Sequence, residues 1–354
     1  MKVEAPERIL VRAANWLGDV VMATPAFRAL REGFPKAHIT LHLKEANIPL
    51  LQGSPWFDEL LPLRSYHKGF GAMLQEARSL RAGDYDLGLC FPDSFGAALL
   101  MRMAGVKHIV GYKRYWRSPL LHCAVAPPGK KDDPFMVARE LHELGLVTQV
   151  GCEPVGSGGG TKLELFASSE EILEAGRALK NHQVDSSRPI VAIAPGASFG
   201  PSKIWPLSSF AAVGDELAAA GAMVVVLGAP SERNLTNEVC EIMQEPAVNL
   251  AGEISLGATK ALLARARLLI CNDAGARHIA VAFGVPCVVP MGPTSLEKTN
   301  LNLECVSVLT ADDVECRPCY KRVCPIDHRC MTRITPQQVI DVSMSSLRAP
   351  AESS

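Results

Sequence analysis

Short hydrophobic runs alternate with amphipathic stretches along almost the whole chain, and this alternation predicts parallel strands joined by crossover helices. In the first half, RILVRAA, HITLHLK and YDLGLCFP read as buried strands, while GDVVMATPAFRALREGF and FGAALLMRMAG read as the helices between them. A second series opens at PIVAIAPG. It continues through helix PLSSFAAVGDELAAAG, strand MVVVLGAP, helices SERNLTNEVCEIM and LGATKALLARA, strand LLICND, helix GARHIAVAFG and strand PCVVPMG. Phe210, Val213 and Leu217 fall on one helical face, and Gly221 is placed to close that helix in the left-handed conformation, as is Gly284 after Phe283. Between the two series lies VGSGGGTKLELFASSEEILEAGRALKNHQVDSSRP, which starts glycine-rich and contains one amphipathic helix. A domain boundary is expected there. The expected organisation is an amino-terminal domain at 1–165, a carboxyl-terminal domain at 166–335, and a terminal helix with a tail at 336–354.

Composition narrows the class. The 354 residues are 48% hydrophobic and 21% charged, enough apolar material for two ordinary cores. A formal net charge of −1 gives no overall field to collect nucleic acid, so no nucleic-acid partner is expected. Arg12, Asn15 and Asp19 interrupt the apolar character of the first residues, against an export signal, so a cytoplasmic protein is expected. No run of eighteen apolar residues is present, which argues against a spanning helix and leaves peripheral contact with a membrane open.

In doubly wound sheets ligands bind beyond the carboxyl ends of the strands, and the unusual residues of this chain lie in those loops. In PGASFGPSKIWP, Gly196 and Gly200 let a ligand approach the backbone beside Ser198, and Lys203 puts one positive charge before a helix start, which suits a phosphate or diphosphate. A stiff loop with a solvated lysine is the other reading. Glu232, in GAPSERN, fits either a capping box or a ligand of ribose hydroxyls. In CNDAGARHIA, Asp273 ends a strand, Gly275 opens a helix and His278 lies one turn on; Asp273 reads as an N-cap or as part of a donor site. MGPTS adds Gly292 and Thr294 at another strand end. In the first half, Asp19 stands at a helix start, either as a cap or as a general base facing a nucleotide site.

Three further features carry chemistry. Lys113, Arg114 and Arg117 lie among aromatics in GYKRYWRSPLL, as a solvated basic loop, an acceptor-binding element or a docking point for an anionic membrane. Cys316, Cys319, Cys324 and Cys330, with His328 nearby, are candidates for a structural zinc site. DYD at 84–86 spells a metal-binding D-x-D, but it precedes its strand and reads better as a solvated strand entry.

The set LGDVVMATPAFRALREGFP, PGASFGPSKIWP, LGAPSE, NDAGARHIAVAFGVPCVVPMGPTS and ITPQQV resembles the ADP-heptose:lipopolysaccharide heptosyltransferase family, its heptosyltransferase II branch in particular. The likeness runs through most of the chain and is weaker between Lys44 and Lys162. It implies an α/β GT-B architecture, two Rossmann-like domains facing across a cleft, with the nucleotide sugar on the second and the acceptor on the first. It implies inverting transfer of heptose to the lipopolysaccharide inner core by a peripheral inner-membrane enzyme that needs no catalytic metal. By motif, Asp19 matches the catalytic aspartate, Lys203 the diphosphate lysine, Glu232 the ribose glutamate, and Asp273 with Gly275 and His278 the donor segment. A nucleotide-sugar epimerase of similar architecture and a non-catalytic nucleotide-sugar-binding protein are the alternatives. A nicotinamide dehydrogenase is disfavoured because no G-x-G-x-x-G follows a strand.

Overall fold

A computed structural model of the chain describes residues 5–65, 68–129, 137–156, 160–185 and 187–348. It divides into two compact units, one running to Phe166 and including Glu297–Leu301, the other taking Ala167–Leu296 and the chain from Asn302. Residues 157–159 of the expected linker and the tail after Arg348 lie outside the described residues.

The first unit holds six parallel strands: β1 (Arg8–Arg12), β2 (His38–Lys44), β3 (Glu59–Leu63), β4 (Leu87–Cys90), β5 (His108–Tyr112) and β6 (Cys123–Val125), in the order β3-β2-β1-β4-β5-β6. The second repeats this plan with β7 (Ile190–Ala194), β8 (Met223–Val226), β9 (Ala247–Asn249), β10 (Leu268–Cys271), β11 (Cys287–Pro290) and β12 (Val306–Leu309), ordered β12-β11-β10-β7-β8-β9. Both orders are those of a doubly wound Rossmann-like sheet, whose chain reverses direction between the first and fourth strands of the series. The central strands β1, β4, β7 and β10 are buried on both faces, which is why they read as continuous apolar runs rather than alternating ones. The outer strands β9 and β12 are short and only partly buried, and no strand is expected there from the pattern alone.

Helix Leu207–Ala219 buries Phe210, Val213 and Leu217 together, and Gly221 takes φ +98° to end it; Gly284 does the same at φ +71° after Gly275–Ala282. The helix Pro336–Arg348 is not a separate appendage. It packs on Leu207–Ala219, and Val339 enters the core of the second unit.

Candidate functional site

In the second unit the loops after β7, β10 and β11 converge on one carboxylate. Asp273, two residues past β10, accepts from Lys203 Nζ at 2.5 Å and from Thr294 Oγ1 at 2.9 Å, both on Oδ2, while Arg277 Nη1 lies 3.3 Å from Oδ1. Lys203 also donates to the Asp273 carbonyl at 3.0 Å and sits over the Phe199 ring, 5.2 Å from its centroid. The Lys203 and Asp273 side chains keep 13% and 10% of their surface, so the ammonium is held in place yet reachable. Burial opposes ionisation of Asp273, but the charges of Lys203 and Arg277 outweigh it and hold the carboxyl below its ordinary range. His278 is buried beside Arg277; burial and that neighbouring cation push it down to about 3, so it is a neutral imidazole at physiological pH.

Asp273 is therefore more than a cap. The helix Gly275–Ala282 takes no side-chain cap, Asp273 lying outside its first turn and bonding the lysine instead. Arg277, four residues on, escaped the sequence reading; the spacing D-A-G-A-R across a helix start was its only signal.

The tryptophan of PGASFGPSKIWP is an anchor. Trp205 is fully buried, donates from Nε1 to the Ile334 carbonyl at 2.9 Å, and meets Phe210 edge to face. Its backbone N–H goes to Asn272 Oδ1 at 3.0 Å, and Asn272 Nδ2 reaches back to the Pro195 carbonyl at 2.6 Å. Asn272 thus ties the end of β10 to both ends of the lysine loop. On the neighbouring side, Glu232 lies against Gly196: a Cβ at that glycine would overlap the carboxylate and force it to move. Glu232 Oε2 accepts the Ala229 N–H at 2.8 Å, which is a capping-box bond, while Oε1 lies over Gly196. Ser198 is exposed in the same loop.

Two further sequence candidates lie nearby. The space a Cβ would take at Gly292 is filled by Met331 and Cys330, so packing gives this glycine a structural reason of its own. Cys316, Cys319, Cys324 and Cys330 form no disulfide, and the first three stand near enough to Cys330 to help burial push its thiol up, although among the described residues no metal-binding group of three His, Cys, Asp or Glu is formed. The segment carrying them has a structural use. The Ser202 N–H donates to the Arg322 carbonyl at 3.1 Å, His328 Nε2 lies 2.7 Å from the Ser202 carbonyl oxygen, and the N–H groups of Cys319 and Tyr320 both reach the Pro293 carbonyl at 3.0 Å. Gly200, at φ +152°, lies where a side chain would strike the Arg322 carbonyl. The cysteine segment braces the lysine loop and the Pro293–Thr294 loop together.

In the first unit, Asp19 lies in the first turn of helix Leu17–Met22 but is not its cap, that position belonging to Trp16. Its side chain is 28% exposed, and the nearest charge among the described residues is Arg139 Nε at 4.0 Å from Oδ1. Burial raises the carboxyl above its ordinary range, Arg139 opposing the rise and Glu143 adding to it. A cavity of ≈ 470 Å³ opens at the carboxyl ends of β1, β3 and β4, lined by Arg12, Asn15, Ser65, Phe70, Ser94 and Leu100. Asn15 and Asp19 belong to the same strand-to-helix connection.

Arg117 is not a surface cation. It is wholly buried, donating to the Tyr112 carbonyl at 2.8 Å, to the Pro92 carbonyl and to Asp93 Oδ1 at 3.2 Å. All of this guanidinium's visible bonding is internal, which removes Arg117 from the expected acceptor set. Arg114 bonds Asp93 at 3.2 Å and stacks on Tyr115, its guanidinium carbon 4.7 Å from the ring centroid, while Lys113 is exposed. In the D-x-D stretch, Asp86 accepts the Glu7 and Arg8 N–H groups at 3.0 Å and pairs with Lys107 at 2.9 Å, which Asp84 also approaches at 3.3 Å. These carboxylates stand at the amino end of β4, the end opposite the ligand loops.

Comparison with known proteins bears on the whole chain. A family model described as glycosyltransferase family 9 (heptosyltransferase) matches residues 73–329. The lipopolysaccharide heptosyltransferase 2 of Escherichia coli K12 is 28% identical over 353 residues, covering 94% of this chain and 97% of that protein, and the lipooligosaccharide heptosyltransferase 2 of Haemophilus ducreyi is 28% identical over 302 residues, covering 81% and 84%. Among solved structures, E. coli ADP-heptose lps heptosyltransferase II superposes with a TM-score of 0.80 at 26% identity over 96% of this chain and 98% of that one. A glycosyl transferase family 9 structure from Veillonella parvula DSM 2008 shares the fold at a TM-score of 0.86 and 24% identity, over 98% of each chain. The architecture is GT-B, built of two doubly wound α/β units. The chain belongs to glycosyltransferase family 9, the heptosyltransferases.

Proposed function

We propose that this chain transfers heptose from ADP-heptose to the lipopolysaccharide inner core with inversion at the anomeric carbon. The observation that carries the mechanism is the cluster of Lys203, Asp273 and Thr294 at the carboxyl ends of β7, β10 and β11, a built cationic site where such sheets receive nucleotides. In this reading Lys203 and adjacent loop N–H groups take the diphosphate, and Glu232 the ribose hydroxyls. Gly196, Ser198, Gly275, His278 and Thr294 line the donor. As the bond to the diphosphate breaks, negative charge gathers on the leaving oxygen, and a positioned cation in a water-poor site stabilises it. That role asks for no divalent cation. The acceptor occupies the first unit near the Asn15 cavity, with Lys113 and Arg114 available to its anionic groups. Asp19 takes the proton of the attacking hydroxyl.

Purified protein incubated with ADP-heptose is expected to release ADP only when a heptosylated core acceptor is added, and to do so in the presence of a chelator. Turnover without acceptor would mean an epimerase, binding without release a non-catalytic protein.

The membrane side of the reading rests on the turn at residues 113–117. Tyr115 and Trp116 hold left-handed backbone, φ +46° and +60°, which costs about 1–2 kcal/mol per bulky residue. Trp116 nevertheless stays 93% exposed, and the buried Arg117 braces the turn from below. Aromatics beside Lys113 and Arg114 suit an anionic bilayer interface. Vesicles with anionic phospholipid are expected to sediment the protein several-fold better than neutral ones, and Tyr115→Ser with Trp116→Ser to remove the difference; a double variant that keeps the wild-type preference for anionic vesicles would refute it.

A further inference from the structure

Behind Asp19 runs a line of buried charges that the mechanism above does not use. Arg139 opens the helix Arg139–Thr148, which packs on Leu17–Met22. Its Nη2 lies 2.9 Å from Glu143 Oε1 one turn on, while Nε faces Asp19 Oδ1 across 4.0 Å, too long for a hydrogen bond. That Nε–H is buried and has no hydrogen-bond partner among the described residues, which is uncommon for a charged donor. Glu143 is fully buried; its Oε1 also lies 3.6 Å from His142 Nδ1, and His142 Nε2 lies 3.7 Å from Asp93 Oδ2. The order is therefore Asp19, Arg139, Glu143, His142, Asp93, with Arg117 and Arg114 closing the far end.

We propose that Arg139 and Glu143 are positioning residues that set the basicity of Asp19, the arginine holding its carboxylate ionised and the glutamate behind it limiting that pull. The inference rests on Asp19 being the general base. Burial alone shifts a carboxyl toward its protonated form, which cannot take a proton, whereas tight pairing with arginine lowers its basicity. The 4.0 Å gap with a counter-charge on the far side of the guanidinium is an intermediate setting. It also leaves an unused N–H able to close on the carboxylate or on the acceptor group between them. The charged groups facing Asp19 are Arg139, Glu143 and His142 on the neighbouring helix, and Lys298 on the turn Leu296–Lys298. Arg139 in turn sees Glu143, Asp19 and Asp93, which outweigh its burial and keep it charged.

The signs of the two substitutions are opposite. Asp19 acts deprotonated, so transfer rises as pH climbs through its titration. Arg139→Gln removes the attraction for the carboxylate, and the acid limb of the kcat profile is expected to move up by about one pH unit, the usual effect of one cation at this range. Glu143→Gln keeps shape but frees the full charge of Arg139, and the limb is expected to move down by a smaller amount. Arg139→Lys is expected to bring the limb most of the way back. Each variant is checked for a melting temperature rise on adding ADP, which reports an intact donor site. A purely structural role would lower activity in both variants without displacing the limb in opposite directions. Limbs that stay put or move together, while Asp19→Asn is inactive, overturn the inference; a fully active Asp19→Asn overturns the base assignment beneath it. Should Arg139→Gln not fold, Glu143→Gln and Arg139→Lys still give the sign.

Discussion

Asp19→Asn is expected to lower kcat by about a thousandfold, within the 10²–10⁴ range of a single general base, while ADP-heptose binds as before. Asparagine matches the carboxylate in shape but cannot take a proton. Little stability should be lost, because Asp19 is not the cap of its helix and its nearest ion partner is 4.0 Å away. Burial already works against its charge, so the melting temperature is expected to stay level or rise slightly. This pattern, a large loss of rate with intact fold and donor binding, separates a catalytic base from a carboxylate that merely favours the helix dipole. Normal turnover by the variant would leave Asp19 the second role only.

Lys203→Met is the next largest effect, and it acts on two levels. Removing one well-placed cation from the leaving group is expected to lower kcat by about 10²–10³. The same change strips Asp273 of its closest partner in a site only 10% exposed. Breaking a buried pair costs about 3–5 kcal/mol, and the low end is expected here because Arg277 and Thr294 stay bonded to the carboxylate. Adding Asp273→Asn should restore much of the lost melting temperature without restoring transfer. If the double variant regains activity with stability, Lys203 is a structural residue and the diphosphate lies elsewhere.

Much of the fold was legible because parallel strands buried on both faces leave uninterrupted apolar runs, and because Gly221 and Gly284 mark helix ends that need positive φ. The loops proposed to hold the donor were legible for a related reason. Lys203, Asp273 and Thr294 each follow a strand, and topology brings strand ends together. What escaped the sequence depended on pairing across long separations. Arg117 looked like its exposed neighbours, and only the approach of Pro92 and Asp93, 25 and 24 residues away, reveals it as a buried brace. Arg139 and Glu143 drew no notice in the sequence, since their i,i+4 spacing is common on helices and the partner Asp19 lies 120 positions earlier.

The cysteine segment shows the same limit. Its spacing suggested a metal and gave no sign that the backbone groups of Arg322, Cys319 and Tyr320, with the ring of His328, hold the Lys203 loop and the Pro293–Thr294 loop. Trp205 and Asn272 fix the lysine loop from the other side, so Lys203 is positioned before any ligand arrives. Such preorganisation is what a leaving-group cation needs, since nothing has to be rearranged when charge appears.

The central claim is a single displacement, with a hydroxyl freed of its proton by Asp19 attacking opposite a diphosphate held at Lys203. The anomeric configuration of the heptosyl product, read by proton and carbon NMR against that of the donor, tests it most directly. Direct attack predicts an inverted centre from the first turnover; a product that retains the donor's configuration would require a covalent or front-face route and would contradict the account.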